Sequence, residues 1–244
     1  MSLMFISDLH LDAKQPEIGE QFMHFLQSQA PAADALYILG DLFESWVGDD
    51  DPQPEKERVV RAIRQLADDG LPCYFMRGNR DFLVGQEFAT AAGLELLADE
   101  VVIQINGEPV LLVHGDSLCT DDTEYQAFRS MVRSPAWQEQ FLAAPLEERL
   151  ALAVEARKRS AAHNSTADDA IMDVNQQAVE SLMRENNVLT LLHGHTHRPA
   201  IHRFNLDEQP ATRIVLGDWY EQGSVVTWDK NGPDLQSLPR APAL

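Results

Sequence analysis

The first 76 residues alternate short apolar runs with longer amphipathic segments. The runs at 3–7, 35–39 and 72–76 have the length of buried strands, and the segments at 17–29 and 55–69 carry apolar side chains at helical spacing. Two parallel strands need a crossover of about a dozen or more residues between them, which a helix supplies. The alternation therefore predicts parallel β-α-β units with helices packed on the sheet.

The rest of the chain carries strand-length apolar runs that follow one another more closely. Runs at 101–105 and 110–114 flank Asn106-Gly107, a dipeptide typical of a tight hairpin turn. Four more runs lie at 189–193, 200–205, 213–216 and 224–228. Parallel units followed by antiparallel pairs predict the α/β class, as a mixed-sheet α/β sandwich.

Helical patterns replace the strand pattern between 119 and 187. We predict a core of residues 1–118 and 188–238, a helical insertion at 119–187 that covers the active site, and a tail at 239–244.

Two helices of the insertion can be outlined. One begins near Pro145, and its predicted inner face consists of Leu146, Leu150, Ala153, Arg157, Ser160 and Asn164. Thr166 followed by Asp169 predicts the start of the second.

The chain has 244 residues and a formal net charge of -20, from 19 Lys and Arg against 39 Asp and Glu. This charge repels nucleic acid, so we expect no nucleic-acid partner. A phosphorylated substrate would need a source of positive charge, and bound metal ions supply one. Cys73 and Cys119 are isolated, which indicates a reducing compartment rather than a disulfide framework or a thiolate zinc site.

Side chains that bind metals or transfer protons follow five of the predicted strands directly. They lie in Asp8-Leu9-His10, Gly40-Asp41, Gly78-Asn79-Arg80-Asp81, His114-Gly115-Asp116 and Gly194-His195-Thr196-His197. Ligands of open α/β sheets bind beyond the carboxyl ends of strands, so the five segments are expected to surround one crevice. An extended backbone would point Asp8 and His10, and likewise His195 and His197, to the same side.

The candidate metal ligands are Asp8, His10, Asp41, Asn79, His114, His195 and His197. Imidazoles beside carboxylates and an amide, without thiolates, suit Mn²⁺, Fe²⁺, Co²⁺ or Zn²⁺. Seven ligands are too many for one catalytic ion with an open position, so two ions that share a carboxylate are predicted. Such pairs lie about 3.5 to 4 Å apart and lower the pKa of bound water to about 7, which favours phosphoester hydrolysis. We expect Asp116 to orient His114 rather than to bind an ion.

The five motifs, in this order from Asp8 to His197, resemble those of the calcineurin-like metallophosphoesterases. The resemblance implies that one ion is held by Asp8, His10 and His197, that the other is held by Asn79, His114 and His195, and that Asp41 bridges them. The commonest family pattern has His where this chain has Arg80. Arginine cannot act as a general acid, but it can hold two phosphate oxygens, which favours a leaving group that needs no proton.

Within this family, the chain resembles over nearly its whole length the branch that acts on UDP-2,3-diacylglucosamine in lipid A synthesis. The resemblance is carried by the motif that contains Arg80, by the segments DLFESWVGDD and HGDSLCTDD, and by the insertion. This resemblance implies hydrolysis to 2,3-diacylglucosamine 1-phosphate and UMP, with attack on the α-phosphorus and Mn²⁺ as the preferred ion. The implied substrate contacts are Asn79, Arg80, Asp122, Ser160, Asn164 and His195, to which the helix face adds Arg157. Asn79, Arg80 and His195 are the implied catalytic residues. Ala167 stands where the family often has Lys.

The insertion also carries apolar and basic side chains. A slot for acyl chains is predicted from Phe128, Met131, Val132, Trp137, Phe141 and Leu142. Docking on an anionic inner leaflet is predicted from Arg129, Arg133, Arg149, Arg157, Lys158 and Arg159. Because the sequence shows neither a basic leader nor an apolar run of about 18 residues, we expect a cytoplasmic monomer that associates peripherally with the cytoplasmic face of the inner membrane.

Two other functions stay open at this point. One is a metallophosphoesterase that acts on another nucleotide diphosphate or phosphodiester, and the other is a non-catalytic metal-binding scaffold. The net charge argues against polynucleotide substrates. The presence of every family ligand argues against the scaffold.

Overall fold

Two mixed β-sheets form the body of the chain in a computed structural model, which describes residues 2–166 and 173–240 without the side chains of 161–166. The strands are β1 (Leu3–Ile6), β2 (Ala35–Leu39), β3 (Cys73–Met76), β4 (Glu95–Leu96), β5 (Glu100–Ile105), β6 (Glu108–Val113), β7 (Thr190–His193), β8 (Ala200–Leu206), β9 (Gln209–Val215), β10 (Gly223–Asp229) and β11 (Gly232–Leu238). The helices are α1 (Pro16–Ser28), α2 (Pro54–Asp68), α3 (Gln86–Ala92), α4 (Thr123–Val132), α5 (Pro135–Leu142), α6 (Leu146–Thr166) and α7 (Gln176–Glu185).

The first sheet has six strands in the order β11-β10-β1-β2-β3-β4. Its strands β1, β2 and β3 are parallel, and α1 and α2 connect them as predicted. Pro16 and Pro54 occupy the first turns of these helices, where a missing N–H costs no helical hydrogen bond. Side chains of α1, α2 and α3, including Phe22, Ile63 and Phe88, pack in one buried cluster with Ile38 of β2.

The second sheet has five strands in the order β5-β6-β7-β9-β8. The β5–β6 hairpin turns through Asn106 and Gly107 at φ values of 53° and 89°, the left-handed pair that this dipeptide favours. Helix α7, within the predicted insertion, packs on this sheet through Val179 and Met183, which are buried beside Leu191.

The two sheets pack face to face. Phe5 and Leu39 of the first sheet share a buried cluster with Leu112 and Leu192 of the second. Because helices cover the outer face of each sheet, the chain is an α/β sandwich with four layers, which confirms the predicted fold class. No helix among the described residues is both long enough and apolar enough to cross a membrane.

Two predictions about the insertion are wrong. Thr166 ends α6 instead of starting a helix, and the next helix begins at Gln176 after Asn175, whose side chain caps it. Asp169 lies outside the described residues. The predicted inner face of α6 is wrong at its start, since Leu150 is exposed whereas Arg149 is buried against the Val47 carbonyl, although Ala153, Arg157 and Ser160 of that face line a cavity.

Candidate metal centre and adjoining cavity

The seven predicted metal ligands all follow the carboxyl ends of strands. Asp8 and His10 follow β1, Asp41 follows β2, Asn79 follows β3, His114 follows β6, and His195 and His197 follow β7. Both sheets therefore contribute to one site, as the position of the motifs predicts.

Six of these residues form two groups that can each hold a metal ion, and in each group the ligand atoms lie within 4.8 Å of one another. The first group is Asp8, His10 and His197, and the second is Asp41, His114 and His195. Asn79 joins the second group, because its Oδ1 lies 3.0 Å from His114 Nε2 and 2.8 Å from His195 Nδ1.

Asp41 lies between the two groups. Its Oδ1 is 3.6 Å from His114 Nε2, and its Oδ2 is 3.8 Å from His10 Nε2. The two oxygens of one carboxylate therefore face different groups, which is the arrangement that a bridging ligand requires.

The backbone at the site adopts the left-handed region at five ligand residues. The φ values are 57° at Asp8, 52° at His10, 53° at Asp41, 70° at His195 and 55° at His197. This conformation costs about 1 to 2 kcal/mol per non-glycine residue and concentrates at functional sites. The paired side chains thus converge through tight turns, and the extended geometry assumed from the sequence is wrong.

Glycines in two of the motifs let the carboxylates approach the backbone closely. A Cβ at Gly78 would lie 2.1 Å from Asp41 Oδ1, and a Cβ at Gly194 would lie 2.2 Å from Asp8 Oδ2. Any larger residue at either position would displace a metal ligand.

Asp81 fixes the loops after β2 and β3. Its fully buried carboxylate accepts hydrogen bonds at 2.8 Å from the backbone N–H groups of Leu42 and Gly78. Burial, followed by the charge of Asp41, raises the pKa of Asp81 to about 6. The last residue of the third motif is therefore a structural acceptor that holds Asp41 beside Asn79.

Oxygen atoms hold the outward nitrogens of three imidazoles. His114 Nδ1 lies 2.8 Å from the Leu39 carbonyl, His10 Nδ1 lies 3.1 Å from Glu44 Oε2, and His197 Nδ1 lies 3.5 Å from Asp218 Oδ2. The His114 contact is a hydrogen bond, which selects the tautomer and leaves the other nitrogen for a metal ion, whereas the contacts of His10 and His197 are ion-pair distances. The expectation that Asp116 orients His114 is wrong, because the Asp116 carboxylate instead accepts hydrogen bonds from Tyr125 and Arg129.

Sequence reasoning missed Glu44, Asp218 and Tyr220. Tyr220 stacks on the His10 ring with centroids 5.4 Å apart. Strand β9 and the apolar Leu216 after it are followed by Gly217-Asp218. An acidic side chain just after an apolar strand is the signal that identified the other motifs, so it could have identified Asp218. Glu44 carries no such signal.

The chemistry of the two groups fits a pair of divalent cations. Asp8 is completely buried, and its Oδ1 has no hydrogen-bond partner among the described residues. Although burial raises the pKa of Asp8, the neighbouring His197 and the charges of His114 and His10 outweigh it and hold that pKa well below its usual range. A buried ionised carboxylate with a free oxygen beside imidazole nitrogens is a ligand set for Mn²⁺, Fe²⁺, Co²⁺ or Zn²⁺.

Arg80 lies next to this centre with its guanidinium turned inward. Its side chain is 14% exposed, and its Nε and one terminal nitrogen are buried without a hydrogen-bond partner among the described residues. The nearest carboxylate oxygens are Asp41 Oδ2 at 3.9 Å and Glu44 Oε1 at 3.8 Å. The guanidinium therefore has donors available for an anion such as phosphate.

A cavity of about 770 Å³ opens from Asn79 and Arg80 toward α4, α5 and α6. Of the predicted substrate contacts in the insertion, Asp122, Arg157 and Ser160 line it. Asp122 also caps α4 by accepting a hydrogen bond from the Tyr125 N–H. The side chain of Asn164 and the whole of Ala167 lie outside the described residues.

Apolar side chains line much of the far part of the cavity. Phe128, Val132, Trp137 and Phe141 line it as predicted, whereas Met131 and Leu142 are 50% and 41% exposed and do not. Ala153 of the predicted inner face of α6 also lines it, and unpredicted apolar lining comes from Trp46, Val47, Phe82, Leu83 and Leu152. The cavity thus begins at Asn79 and Arg80, and the helices line the rest of it with apolar side chains and with charged ones such as Glu148 and Glu155.

Arginines of the insertion bind the core. Arg129 contacts Asp116 at 2.8 Å, Arg133 contacts the Gly78 carbonyl at 2.9 Å, Arg149 contacts the Val47 carbonyl at 2.6 Å, and Arg157 contacts Glu44 at 3.1 Å. Four of the six basic residues expected at a membrane therefore tie the helices to the sheets.

Comparison with known proteins adds independent information. The profile of the family described as calcineurin-like phosphoesterase matches residues 1–199. A relative named UDP-2,3-diacylglucosamine hydrolase, from Stenotrophomonas maltophilia (strain R551-3), is 52% identical and covers 98% of this chain and 100% of its own. One of the same name from Chromohalobacter salexigens is 54% identical over 90% of this chain and 89% of its own. A solved structure described as a novel archaeal phosphodiesterase aligns over 98% of this chain and 99% of its own at 11% identity and a TM-score of 0.48.

Replacement of Asp41 tests the bridging geometry. Among the residues that the structure describes, only the Asp41 carboxylate faces both groups. We expect isothermal titration calorimetry to count two Mn²⁺ ions on the parent protein and at least one fewer on Asp41→Ala. Asp68→Ala, an exposed carboxylate on α2, is the control and should bind as the parent does. Unchanged stoichiometry and affinity in Asp41→Ala would show that Asp41 is not a bridge.

The pH dependence of stability tests the packing behind His195. Burial, followed by the charge of Arg213, lowers the pKa of His193 from 6.5 to about 3, so the folded chain binds fewer protons than the unfolded chain between these values. The contribution is complete above pH 6.5 and is lost as the pH falls toward 3. The free energy of unfolding of the metal-free protein, measured by urea denaturation, should therefore fall between pH 7 and pH 5. In His193→Gln this fall should be about 2 kcal/mol smaller than in the parent. The exposed His24→Gln is the control, and equal losses in all three proteins would refute the assignment.

Proposed function

Because the chain belongs to the calcineurin-like phosphoesterase family, we propose that it uses this centre to hydrolyse the diphosphate bond of UDP-2,3-diacylglucosamine. The products are UMP and 2,3-diacylglucosamine 1-phosphate. Relatives with that name and about half of their residues identical, aligned over nearly the whole chain, support this substrate. The observation that carries the proposal is one cavity that begins at Arg80 beside the metal centre and has apolar side chains in its lining under the helices.

In this proposal Asn79 belongs to the second group, and Asp41 bridges the two groups. Each group holds one divalent ion, and both ions are Mn²⁺. When bound, such ions polarise the phosphoryl oxygens and supply a nucleophilic water near neutral pH. Asn79 lines the cavity, and His195 stacks on Tyr125, which also lines it, with ring centroids 6.0 Å apart, so both residues are proposed to contact the substrate phosphate.

Arg80 binds the phosphate oxygens in this proposal. Its two buried nitrogens have no hydrogen-bond partner among the described residues, so a phosphate that binds them displaces no hydrogen bond. A water attacks the α-phosphorus, and the bond from that phosphorus to the oxygen of the sugar phosphate breaks. The leaving group is a phosphate monoester that departs as an anion, so Arg80 can stabilise its charge without donating a proton.

Helices α4, α5 and α6 of the insertion serve as a cap over the site, whereas α7 packs on the second sheet. Arg157, Ser160 and Asp122 offer polar contacts to the sugar and phosphate, and the apolar lining takes the acyl chains. Each methylene group buried there contributes about 0.8 kcal/mol, which selects acylated substrates.

We also propose that the protein is a monomer that associates peripherally with the cytoplasmic face of the inner membrane. The basic residues left for lipid are Lys158 and Arg159, because the other four bind the core. Exposed apolar side chains on the same helices include Met131, Leu152 and Val154. Fewer basic residues are thus available to anionic lipid than the six that the sequence suggests.

The substrate proposal is tested by comparing UDP-2,3-diacylglucosamine with UDP-glucose, bis-p-nitrophenyl phosphate and cyclic AMP. We expect kcat/KM for the acylated substrate to exceed that for UDP-glucose by about 100-fold or more, since several methylene groups become buried. Phe141→Ala should raise KM for the lipid substrate, whereas Leu142→Ala, a neighbour outside the cavity, should not. Preference for UDP-glucose would overturn the lipid substrate, and two bound ions without hydrolysis of any compound would indicate a scaffold.

Flotation with vesicles that contain anionic phospholipid tests the membrane proposal. The double variant Lys158→Gln and Arg159→Gln should bind about 10- to 30-fold more weakly, at about 1 kcal/mol per basic residue. The control neutralises Arg61 and Arg64, which are exposed on α2 outside the insertion. If both double variants bind as the parent does, these helices do not dock on lipid.

A further inference from the structure

The carboxylate of Glu44 lies where three functional groups meet. Its Oε2 is 3.1 Å from Nδ1 of the predicted ligand His10. Its Oε1 is 3.1 Å from Nε of Arg157 and 3.8 Å from a terminal nitrogen of Arg80. One side chain therefore contacts the metal centre, the phosphate-facing arginine and the cap.

Oε2 of Glu44 lies beside the imidazole of His10. His10 is 1% exposed, and its Nε2 faces Asp41 at 3.8 Å and His197 Nε2 at 3.1 Å. The contact between Glu44 Oε2 and His10 Nδ1 has ion-pair distance without hydrogen-bond geometry, so its negative charge favours a proton on Nδ1 and leaves Nε2 as the ligand atom. Glu44 is thus placed to set the tautomer and the direction of this ligand.

The Oε1 side brings together two positive charges from different layers. Arg80 follows β3 in the core, and Arg157 belongs to α6 in the cap. Two guanidinium groups this close repel each other, and the repulsion is stronger where the side chains are only 14% and 31% exposed. A carboxylate between them offsets that repulsion and holds both donors toward the cavity.

No other carboxylate of the described residues takes over this role for both arginines. Asp41 reaches Arg80 at 3.9 Å but forms no ion pair with Arg157 among the described contacts. The cap helix is anchored at its first turn by Arg149, two turns before Arg157. Without Glu44, the part of α6 that carries Arg157 would lose its contact with the metal centre.

We propose that Glu44 is a positioning residue that assembles Arg80 and Arg157 into one clamp for a diphosphate while it fixes His10 toward the metal ion. The proposal rests on the function proposed above and adds that Arg157 acts through Glu44 as a partner of Arg80. The two phosphates of a nucleotide diphosphate sugar match two guanidinium groups that a single carboxylate holds side by side.

Glu44→Gln separates the two roles. The amide oxygen can take the place of Oε2 beside His10 Nδ1, but the amide nitrogen then faces two guanidinium groups, which like it can only donate hydrogen bonds. This variant should keep both Mn²⁺ ions with unchanged affinity and raise KM for UDP-2,3-diacylglucosamine about 10-fold. Glu44→Ala should in addition bind one of the two ions about 10-fold more weakly in calorimetric titration.

A double-mutant cycle with Arg157→Met tests whether the clamp acts as a unit. If Glu44 works through Arg157, the double variant should lose no more kcat/KM than the worse single variant. Glu180→Gln is the control for loss of a similarly exposed carboxylate in an ion pair, and it should change kcat/KM less than about 2-fold. Losses that multiply in the double variant would overturn the clamp, and unchanged Mn²⁺ affinity in Glu44→Ala would overturn the role at His10.

The same measurements distinguish failure of this inference from failure of the proposed function. If the parent protein leaves UDP-2,3-diacylglucosamine intact, the proposed substrate is wrong, and the Mn²⁺ titration of Glu44→Ala still decides the role of Glu44 at His10. If the parent hydrolyses that substrate but the cycle is multiplicative, the function stands and the clamp does not.

Discussion

The carboxylates of Asp8 and Asp41 are almost completely removed from water. The rest of the site depends on how the negative charges of these two buried groups are stabilised. A buried carboxylate costs several kcal/mol unless hydrogen bonds and cations replace its water. Backbone and side-chain donors satisfy part of this requirement, since Asp8 Oδ2 accepts from Ser7 Oγ and from the His195 N–H. Imidazole nitrogens of four histidines from three loops surround the two carboxylates, and the divalent cations that the family implies would complete the requirement.

Arginines connect the parts of a chain whose formal net charge is -20. Arg80 lies at the metal centre, and arginines of α4 and α6 reach carboxylates and carbonyls of the core. These contacts hold the cap against the sheets while leaving an apolar cavity between them. Glu44 connects the two systems, since it contacts a predicted metal ligand and a cap arginine through different oxygens.

Elements with a strong local pattern could be predicted from the sequence. The apolar stripes of α1 and α2 and the Asn106-Gly107 turn specify their own conformations, and the metal ligands are recognisable because each follows a strand end. The short strand β4 and the helix α3, with 2 and 7 residues, carry too little pattern to be predicted. The orientation of α6 could not be predicted, because Arg149 is drawn inward by a carbonyl 102 residues away in sequence. Glu44 was missed for a similar reason, since its partners His10, Arg80 and Arg157 are distant along the chain.

The claim that two cations lie between these loops can be measured most directly by anomalous diffraction at the manganese edge, on crystals of the protein grown with Mn²⁺. The account predicts two peaks about 3.5 to 4 Å apart, one beside Asp8, His10 and His197, the other beside Asn79, His114 and His195, with Asp41 between them. A single peak, or peaks that do not contact Asp41, would contradict it.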